Sequence, residues 1–465
     1  MLFQTPQFFA FLGVVLILFY SAPRPFRKFI LLAASYFFYM SWIPVFILLL
    51  LSLTAIDYLA ARWIARGVSV AQRKTALIIS LSANLGLLGF FKYYNFFAGN
   101  IAHLLHLPSN AFALSIILPL GISFHTFQSM SYVIDVYRGE QDPIKNPIDY
   151  ALFISFFPQL VAGPIVRARE FFKDFYGWRT PTAQEASQGL FQLFLGLAKK
   201  TVMADQFAQI ANNYFQDVTK HPGMLAAWSG TIAFGIQIYF DFAGYTDMAI
   251  GMAKLLGFHF PENFRRPYLA SSMTDFWHRW HMSLSRWLRD YLYIPLGGNR
   301  HGTLQTYRNL MLTMLLGGLW HGANWNFVAW GGYHGSLLSL ERMFRGPKYV
   351  EQTRWTHLYP LKAIATFALA MVGWVFFRAQ TFGESAYVLR QMVTGAAGQM
   401  LIPTWLLVLA LITLLLAILE EKKAWFDRIA IGPTWAYGAA CAMLLMSVEL
   451  IGFTGPAVPF VYFQF

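Results

Sequence analysis

Cysteine and charge are scarce in this 465-residue sequence. Its one cysteine, Cys441, excludes an intramolecular disulfide and a cysteine metal cluster. Charged residues make up 12% of the chain, where soluble domains carry roughly 25%, while hydrophobic residues make up 57%. No basic residue precedes the first apolar run, 8–22, so we expect a retained membrane span rather than a cleaved signal peptide. Together these features predict a polytopic membrane protein.

Apolar windows long enough to cross a bilayer recur along the chain, and the ten-residue alternation of a transmembrane β-barrel is absent. We therefore predict an all-α bundle. The predicted spans are 7–22, 29–43, 45–65, 75–98, 113–137, 148–164, 186–212, 223–255, 305–320, 324–342, 361–379, 404–420 and 433–452. Segment 148–164 contains two prolines, so a break is expected there. Segment 257–303 is too polar for lipid and is expected to form helices inside or across a cavity at the cytoplasmic face.

The net charge of +13 lies largely in short loops. This is the positive-inside pattern, and it predicts an N-terminus outside the cell membrane. The basic clusters are Arg24, Arg27 and Lys28; Arg62, Arg66, Arg73 and Lys74; and Arg167, Arg169, Lys173 and Arg179. No basic arm or aromatic platform for nucleic acid is present. We treat 1–465 as one multi-pass membrane domain with a core motif region at 230–340.

The stretch 276–335 holds the polar residues most suggestive of chemistry, since ionisable groups at membrane depth are usually functional. His321 ends an apolar run and is predicted to act as a general base. We expect the next residue, Gly322, to let a substrate approach. Trp320 and Asn324 are expected to shape the site. A structural histidine bonded to a carbonyl is the alternative.

His278 and His281 would share a helix face. A metal site would need a third ligand, and no His-Glu-x-x-His motif is present, so no metal is predicted. His281 is the better catalytic candidate. Several arginines are predicted to form a cationic mouth for a phosphate-bearing donor, with positive-inside charge as the alternative. They are Arg265, Arg266, Arg279, Arg286 and Arg289.

Two carboxylates, Asp241 and Asp247, lie in an apolar helix. One or both are predicted to pair with these arginines, as scaffold for the site rather than as acid–base groups. The sequence lacks a Gly-x-Ser-x-Gly elbow and a Cys/His pair. Direct transfer with a histidine base is therefore simpler than covalent catalysis.

The chain resembles the membrane-bound O-acyltransferase family, and its alginate O-acetyltransferase branch in particular. The motifs that carry the resemblance are 240–251, 260–264, Pro267-Tyr268, 276–285, 289–300 and 316–325, with 163–165, 374–379 and 459–465 outside the core. The resemblance implies a ring of about 11–13 membrane helices around a funnel. It also implies that His321 is the family's catalytic histidine and that His281 is the second polar position, which orients the donor carbonyl or bonds the oxyanion.

The resemblance further implies passage of an acetyl group from a cytoplasmic thioester, such as acetyl-CoA, for O-acetylation of an exported polysaccharide such as alginate. No bound cofactor is expected. The expected partners are membrane lipid, the thioester donor, a periplasmic acetyltransferase and a polysaccharide export complex. D-Alanyl transfer to a cell-wall polymer, a transporter or flippase of an acylated lipid or sugar, and a structural secretion subunit remain alternatives.

Overall fold

The computed structural model describes residues 1–161, 163–346, 357–394, 396–424, 429, 434–456 and 458–463. Every regular element within these ranges is helical, which confirms the all-α class. The α-helices are α1 Pro6–Ser21, α2 Arg24–Met40, α3 Ile47–Arg66, α4 Val70–Leu88, α5 Tyr94–Leu104, α6 Ile122–Arg138, α7 Pro147–Ser155, α8 Phe157–Leu160, α9 Ala168–Tyr176, α10 Ala183–Ala198, α11 Asp205–Gln216, α12 Met224–Leu255, α13 Met273–Arg279, α14 Met282–Leu288, α15 Thr303–His321, α16 Trp325–Arg345, α17 Tyr359–Arg378, α18 Phe382–Val393, α19 Thr404–Lys423 and α20 Thr434–Ile451.

Among the described residues, four helical segments are long and apolar enough to cross a membrane: Pro44–Arg66, Val70–Leu104, Tyr359–Arg378 and Thr404–Lys423. Helix α19 illustrates the apolar surroundings that such a helix requires. Its apolar side chains point outward, and Leu411 is 56% exposed. A surface of this kind is stable only against lipid or another apolar partner.

The chain forms two compact units, and the single-domain prediction stays a prediction. The first comprises Met1–Gly189 and Ala249–Pro261. Within it, the buried carboxylate of Asp57 on α3 accepts hydrogen bonds from α4, 2.5 Å from Ser80 Oγ and 2.8 Å from Asn84 Nδ2. Polar contacts of this kind join helices where lipid offers no hydrophobic driving force.

The second unit comprises Leu190–Met248 and Glu262–Phe465 and contains both predicted catalytic histidines. Its helices α15 and α16 pack closely because glycines line their contact. A Cβ on Gly331 would lie 2.3 Å from the carbonyl oxygen of Met314, and one on Gly318 would lie 2.2 Å from that of Phe327. Small residues let the two backbones approach. This contact fixes the end of α15, where His321 lies.

Most predicted spans match a helix to within a few residues, and four do not form one continuous α-helix over their predicted length. The predicted span 75–98 is interrupted by a π-helical turn, Gly89–Tyr93. The predicted span 113–137 begins as a helix only at Ile122, after Gly121 with φ of 68°. Segment 148–164 breaks as expected, between α7 and α8. Segment 186–212 is interrupted by a π-helical turn, Lys199–Ala204. Residue 433 of the last predicted span, and Gln464 and Phe465 of the closing motif, lie outside the described residues.

Candidate active site

His281 lies at a break between two short helices, α13 and α14, in the segment predicted to fold inside the protein. Its side chain is fully buried, and its φ of 43° places it in the left-handed region, which a residue with a Cβ rarely adopts. The loop is held by two backbone hydrogen bonds, from Arg265 N to Arg279 O and from Met282 N to Asn263 O, both 2.9 Å. Strained backbone held this firmly is common at functional sites.

Asn263 determines which nitrogen of His281 carries the proton. The backbone N–H of Ser283 donates to Asn263 Oδ1 at 3.0 Å, which identifies that atom as the amide oxygen. His281 Nδ1 lies 3.3 Å from the same oxygen and must therefore carry hydrogen to bond it. Burial lowers the pKa of His281 to about 3, so the imidazole is neutral. In this assigned tautomer Nε2 is an acceptor.

The two predicted catalytic histidines meet at Trp320. The ring centroid of Trp320 is 6.2 Å from that of His281 and 5.0 Å from that of His321. His321, the last residue of α15, is 4% exposed. Its ring also lies 5.1 Å from Trp330 and 5.1 Å from Phe377. The structure therefore brings His281, Trp320 and His321 into one buried aromatic environment, where electrostatic interactions are strong.

Two neighbours of His321 take part in packing and helix capping. A Cβ on Gly322 would lie 2.1 Å from the ring of Phe327, so this glycine makes room for that ring, and approach of a substrate there stays a prediction. Asn324 caps α16: its side-chain oxygen accepts from Asn326 N at 2.9 Å, and its Nδ2 donates to Gln380 O at 3.2 Å. These bonds shape the end of the helix. Substrate contact by Asn324 stays a prediction.

The predicted donor-binding arginines are largely paired with carboxylates. Arg279 Nε lies 2.7 Å from Asp275, and its NH1 lies 2.9 Å from Glu421. Arg266 Nε lies 2.6 Å from the same Glu421. Near the surface, Arg265 pairs with Glu262 at 2.6 Å, and Arg289 with Asp290 at 2.7 Å. Arg286 lies on α14. Phosphate binding by these arginines stays a prediction.

The predicted pairing of Asp241 and Asp247 with these arginines is wrong. Both carboxylates pair with lysines of the π-helical turn. Lys199 Nζ lies 2.6 Å from Asp247, and Lys200 Nζ lies 2.8 Å from Asp241 and 2.7 Å from Asp205. The wider π turn places two successive lysines against α12. The Lys200 group is almost fully buried.

Sequence reasoning missed Asn263, Lys200 and Tyr462 as site residues. Asn263 lies in the motif 260–264, and only the fold shows that its amide reaches His281. Lys200 follows another lysine in an apolar run, a pattern that also suits a membrane boundary. Tyr462 lies in the closing motif. His278, set aside from the sequence, is exposed.

Comparison with known proteins decides the family. The model of the "MBOAT, membrane-bound O-acyltransferase family" matches residues 140–382, more than half of the chain. "Probable alginate O-acetylase AlgI" of Azotobacter vinelandii is 45% identical over 387 residues, which are 82% of this chain and 75% of that protein. The chain belongs to the membrane-bound O-acyltransferase family. It is an acyltransferase and a membrane protein.

Other relatives of this membrane-bound O-acyltransferase are named for different acceptors. "Peptidoglycan O-acetyltransferase" of Helicobacter pylori is 40% identical, over 84% of this chain and 80% of that protein. "Teichoic acid D-alanyltransferase" of Bacillus subtilis is 30% identical, over 57% of this chain and 69% of that protein. The family match includes His281 and His321 and ends before Tyr462.

Proposed function

We propose that this acyltransferase is an inner-membrane O-acetyltransferase that passes an acetyl group from a cytoplasmic thioester, such as acetyl-CoA, for O-acetylation of an exported polysaccharide such as alginate. The observation that carries the proposal is the pair of buried imidazoles, His281 and His321, in contact with one indole, Trp320. Similarity to relatives named for alginate and peptidoglycan O-acetylation supports the acetyl group and the polymer acceptor.

His321 acts as the general base. It takes the proton of the acceptor hydroxyl as that oxygen attacks the thioester carbonyl, and it returns the proton to the departing thiolate. The walls around its imidazole are aromatic: Trp320, Trp330 and Phe377. They limit competing hydrolysis, because water is excluded from contact with the ring.

His281 orients a substrate rather than stabilising the oxyanion. Its Nδ1–H is directed to Asn263, so Nε2 accepts a hydrogen bond from a substrate N–H or O–H. A neutral imidazole in this tautomer has no second proton to donate. The left-handed backbone at His281 and the three donors on the Asn263 oxygen keep the ring in one orientation.

The donor end of the reaction uses the arginine cluster. The cluster supplies positive charge for the phosphates of a coenzyme or a phosphopantetheine arm, and Arg266 and Arg279, which share Glu421, bring two of these charges together. In this proposal the N-terminus lies outside the cytoplasm. The partner proteins are a periplasmic acetyltransferase and a polysaccharide export complex. Similarity to teichoic acid D-alanyltransferases keeps a D-alanyl thioester as the second candidate donor.

The test is acetyl transfer by the purified protein in detergent, with radiolabelled acetyl-CoA and an oligosaccharide acceptor. His321→Ala is expected to lower the rate by about 10²–10⁴-fold, the contribution of a positioned base. His278→Ala, an exposed histidine nearby, is the matched control and should keep full activity. Full activity in His321→Ala would refute the assignment. A transporter would move the label in vesicles without cleaving the thioester.

A further inference from the structure

Helix α17 ends in an arginine that lies outside the donor cluster. Arg378 belongs to the motif 374–379 and is partly buried. Its terminal nitrogen NH2 donates to Asn212 Oδ1 on α11 at 3.0 Å. Its guanidinium carbon lies 5.5 Å from the ring centroid of Phe215 and 5.9 Å from that of Phe234. One amide and two aromatic rings therefore hold this cation in place.

Among the described residues, no carboxylate forms an ion pair or a hydrogen bond with Arg378. Glu384 is close enough for its charge to act on Arg378, but its carboxylate lies at the start of α18 and accepts from Gln380 N at 2.7 Å. An arginine side chain carries five N–H donors in a planar fork and keeps its charge. Such a fork matches the two oxygens of a carboxylate. The guanidinium is therefore able to bind an anion that the chain itself does not supply.

Arg378 lies at the end of α17 that is far from the donor arginines. At the other end, the Tyr359 hydroxyl donates to the carbonyl oxygen of Leu269, in the 3₁₀ turn that follows Arg266. Helix α17 has 20 residues, and a helix of that length spans about 30 Å. Basic residues concentrate at the cytoplasmic ends of membrane spans, where the donor is proposed to enter. A cation at the opposite end departs from that pattern and needs another reason.

The last turn of α17 also carries a wall of the proposed catalytic base. Phe377 directly precedes Arg378, and its ring lies 5.1 Å from that of His321. The ring of Phe234, which contacts Arg378, lies 6.4 Å from that of Phe377. Contacts therefore run without a break from the guanidinium through two phenylalanine rings to His321. An acceptor that approaches His321 from this end of α17 meets the guanidinium.

We propose that Arg378 binds a carboxylate of the acceptor, which is an acidic, uronate-containing polysaccharide that reaches His321 from the end of α17 opposite Tyr359. This inference rests on the proposed function, whose candidate polymer, alginate, is built of uronates. The guanidinium donates two parallel N–H bonds to the carboxylate, while Asn212 keeps the fork in one orientation. Arg378 determines specificity: it transfers no proton and contacts no reacting atom.

The experiment measures kcat/KM of the full-length protein in detergent, with acetyl-CoA as donor and two acceptors. One acceptor is an oligouronate, and the other is the same oligosaccharide with its carboxylates reduced to hydroxymethyl groups. The wild type should prefer the acid. Arg378→Gln should lower that preference by about 10–100-fold, the contribution of a hydrogen bond to a charged group. Asn212→Asp should lower it too, because a carboxylate built into the chain competes for the same fork.

Arg66→Gln is the matched control. Arg66 also ends a helix of 20 residues, α3, and it is exposed. Both arginines complement the C-terminal end of their helix, so both variants lose the same charge at the same helical position. The acceptor preference of Arg66→Gln should equal that of the wild type. Arg378→Lys keeps the charge but not the fork, so it should retain only part of the preference.

Two outcomes would overturn the inference and leave the proposed function standing. One is a wild type that acetylates both acceptors equally well. The other is an equal loss on both acceptors in Arg378→Gln, with a lower thermal midpoint than Arg66→Gln, which would make Arg378 purely structural. If Arg378→Gln does not fold, Asn212→Asp gives the same comparison with the arginine kept.

Binding of the oligouronate without donor separates the inference from the proposed function. Binding by the wild type that is lost in Arg378→Gln, in a protein that transfers no acetyl group, would refute the proposed function and support the arginine site. A wild type that neither binds the oligouronate nor transfers acetyl would refute both.

Discussion

Replacing Lys200 by methionine tests the ion group that anchors the C-terminal segment. Methionine keeps most of the side-chain length and removes the ammonium. The side chain of Lys200 is 1% exposed, and its Nζ contacts Asp205 at 2.7 Å and Asp241 at 2.8 Å. Lys200→Met therefore leaves two buried carboxylates without this cation and frees the Val458 carbonyl.

The expected loss is large for a single substitution. Removing one partner of a buried ion pair destabilises a protein by about 3–5 kcal/mol, because the remaining charge stays buried. Each 1.4 kcal/mol is a factor of ten, so the ratio of folded to unfolded protein should fall by about two to three and a half powers of ten. Lys200 also holds the Val458 carbonyl, four residues before Tyr462, whose ring lies 5.5 Å from that of His321. Acyl transfer should therefore fall in the fraction that remains folded.

The assay is unfolding in detergent, followed by tryptophan fluorescence, with acetyl transfer measured below the midpoint. Lys199→Met is the matched control. Lys199 pairs with Asp247 alone among the described carboxylates, and both side chains are partly exposed, at 22% and 18%. Removing one partner of this partly exposed pair should therefore cost less than removing Lys200 from its buried group. Equal losses of stability in the two variants would refute the reasoning. A second test adds Asp241→Asn to Lys200→Met, which removes one of the stranded carboxylates. If this double variant is no more stable than Lys200→Met alone, the reasoning is also refuted.

Two further predictions concern the histidines. Gly331→Ala should force α15 and α16 apart, which should lower the free energy of unfolding by about 1–3 kcal/mol and slow the acetyl transfer that depends on His321. Gly332→Ala is the control: its Cβ would meet its nearest neighbour at 3.6 Å, so neither stability nor transfer should change in the same two assays. The lowered pKa of His281 means that the unfolded chain binds a proton between about pH 6.5 and 3 that the folded chain does not, so folding stability falls as pH falls. His281→Asn should reduce the slope of unfolding free energy between pH 6 and pH 4 by about 1.4 kcal/mol per unit, and an unchanged slope would contradict the buried neutral state.

Much of the fold could be predicted because helices in lipid follow local composition. The spans at 45–65 and 404–420 correspond to Ile47–Arg66 and Thr404–Lys423. Where prediction failed, local backbone features overrode composition. The π turn at Lys199–Ala204 interrupts an apolar run that reads as one helix, and Gly121 starts α6 nine residues later than the apolar window suggests.

The candidate site was predictable only in part, since the sequence indicates which polar groups are costly in a membrane but not which of them pair. His281 and His321 stand out because each is an ionisable group in an apolar setting. The sequence does not reveal which cation pairs with Asp241, because arginines and lysines are equally available. Only the π turn directs Lys200 toward α12. The arginines that most resemble a phosphate-binding site also form ion pairs that hold the fold: Arg266 and Arg279 both pair with Glu421.

The same buried ion group links fold to chemistry. Asp241 and Lys200 contact no substrate in the proposed reaction, yet they hold the backbone at Val461 and Val458. A buried ion pair rarely adds net stability over a hydrophobic replacement, so its presence here needs another reason. Holding Tyr462 with its ring 5.5 Å from that of His321 is such a reason, since nonpolar contacts would fix the backbone at 458–461 less specifically. If so, hydrophobic replacement of the whole group should give a protein that is stable and still slow in acyl transfer.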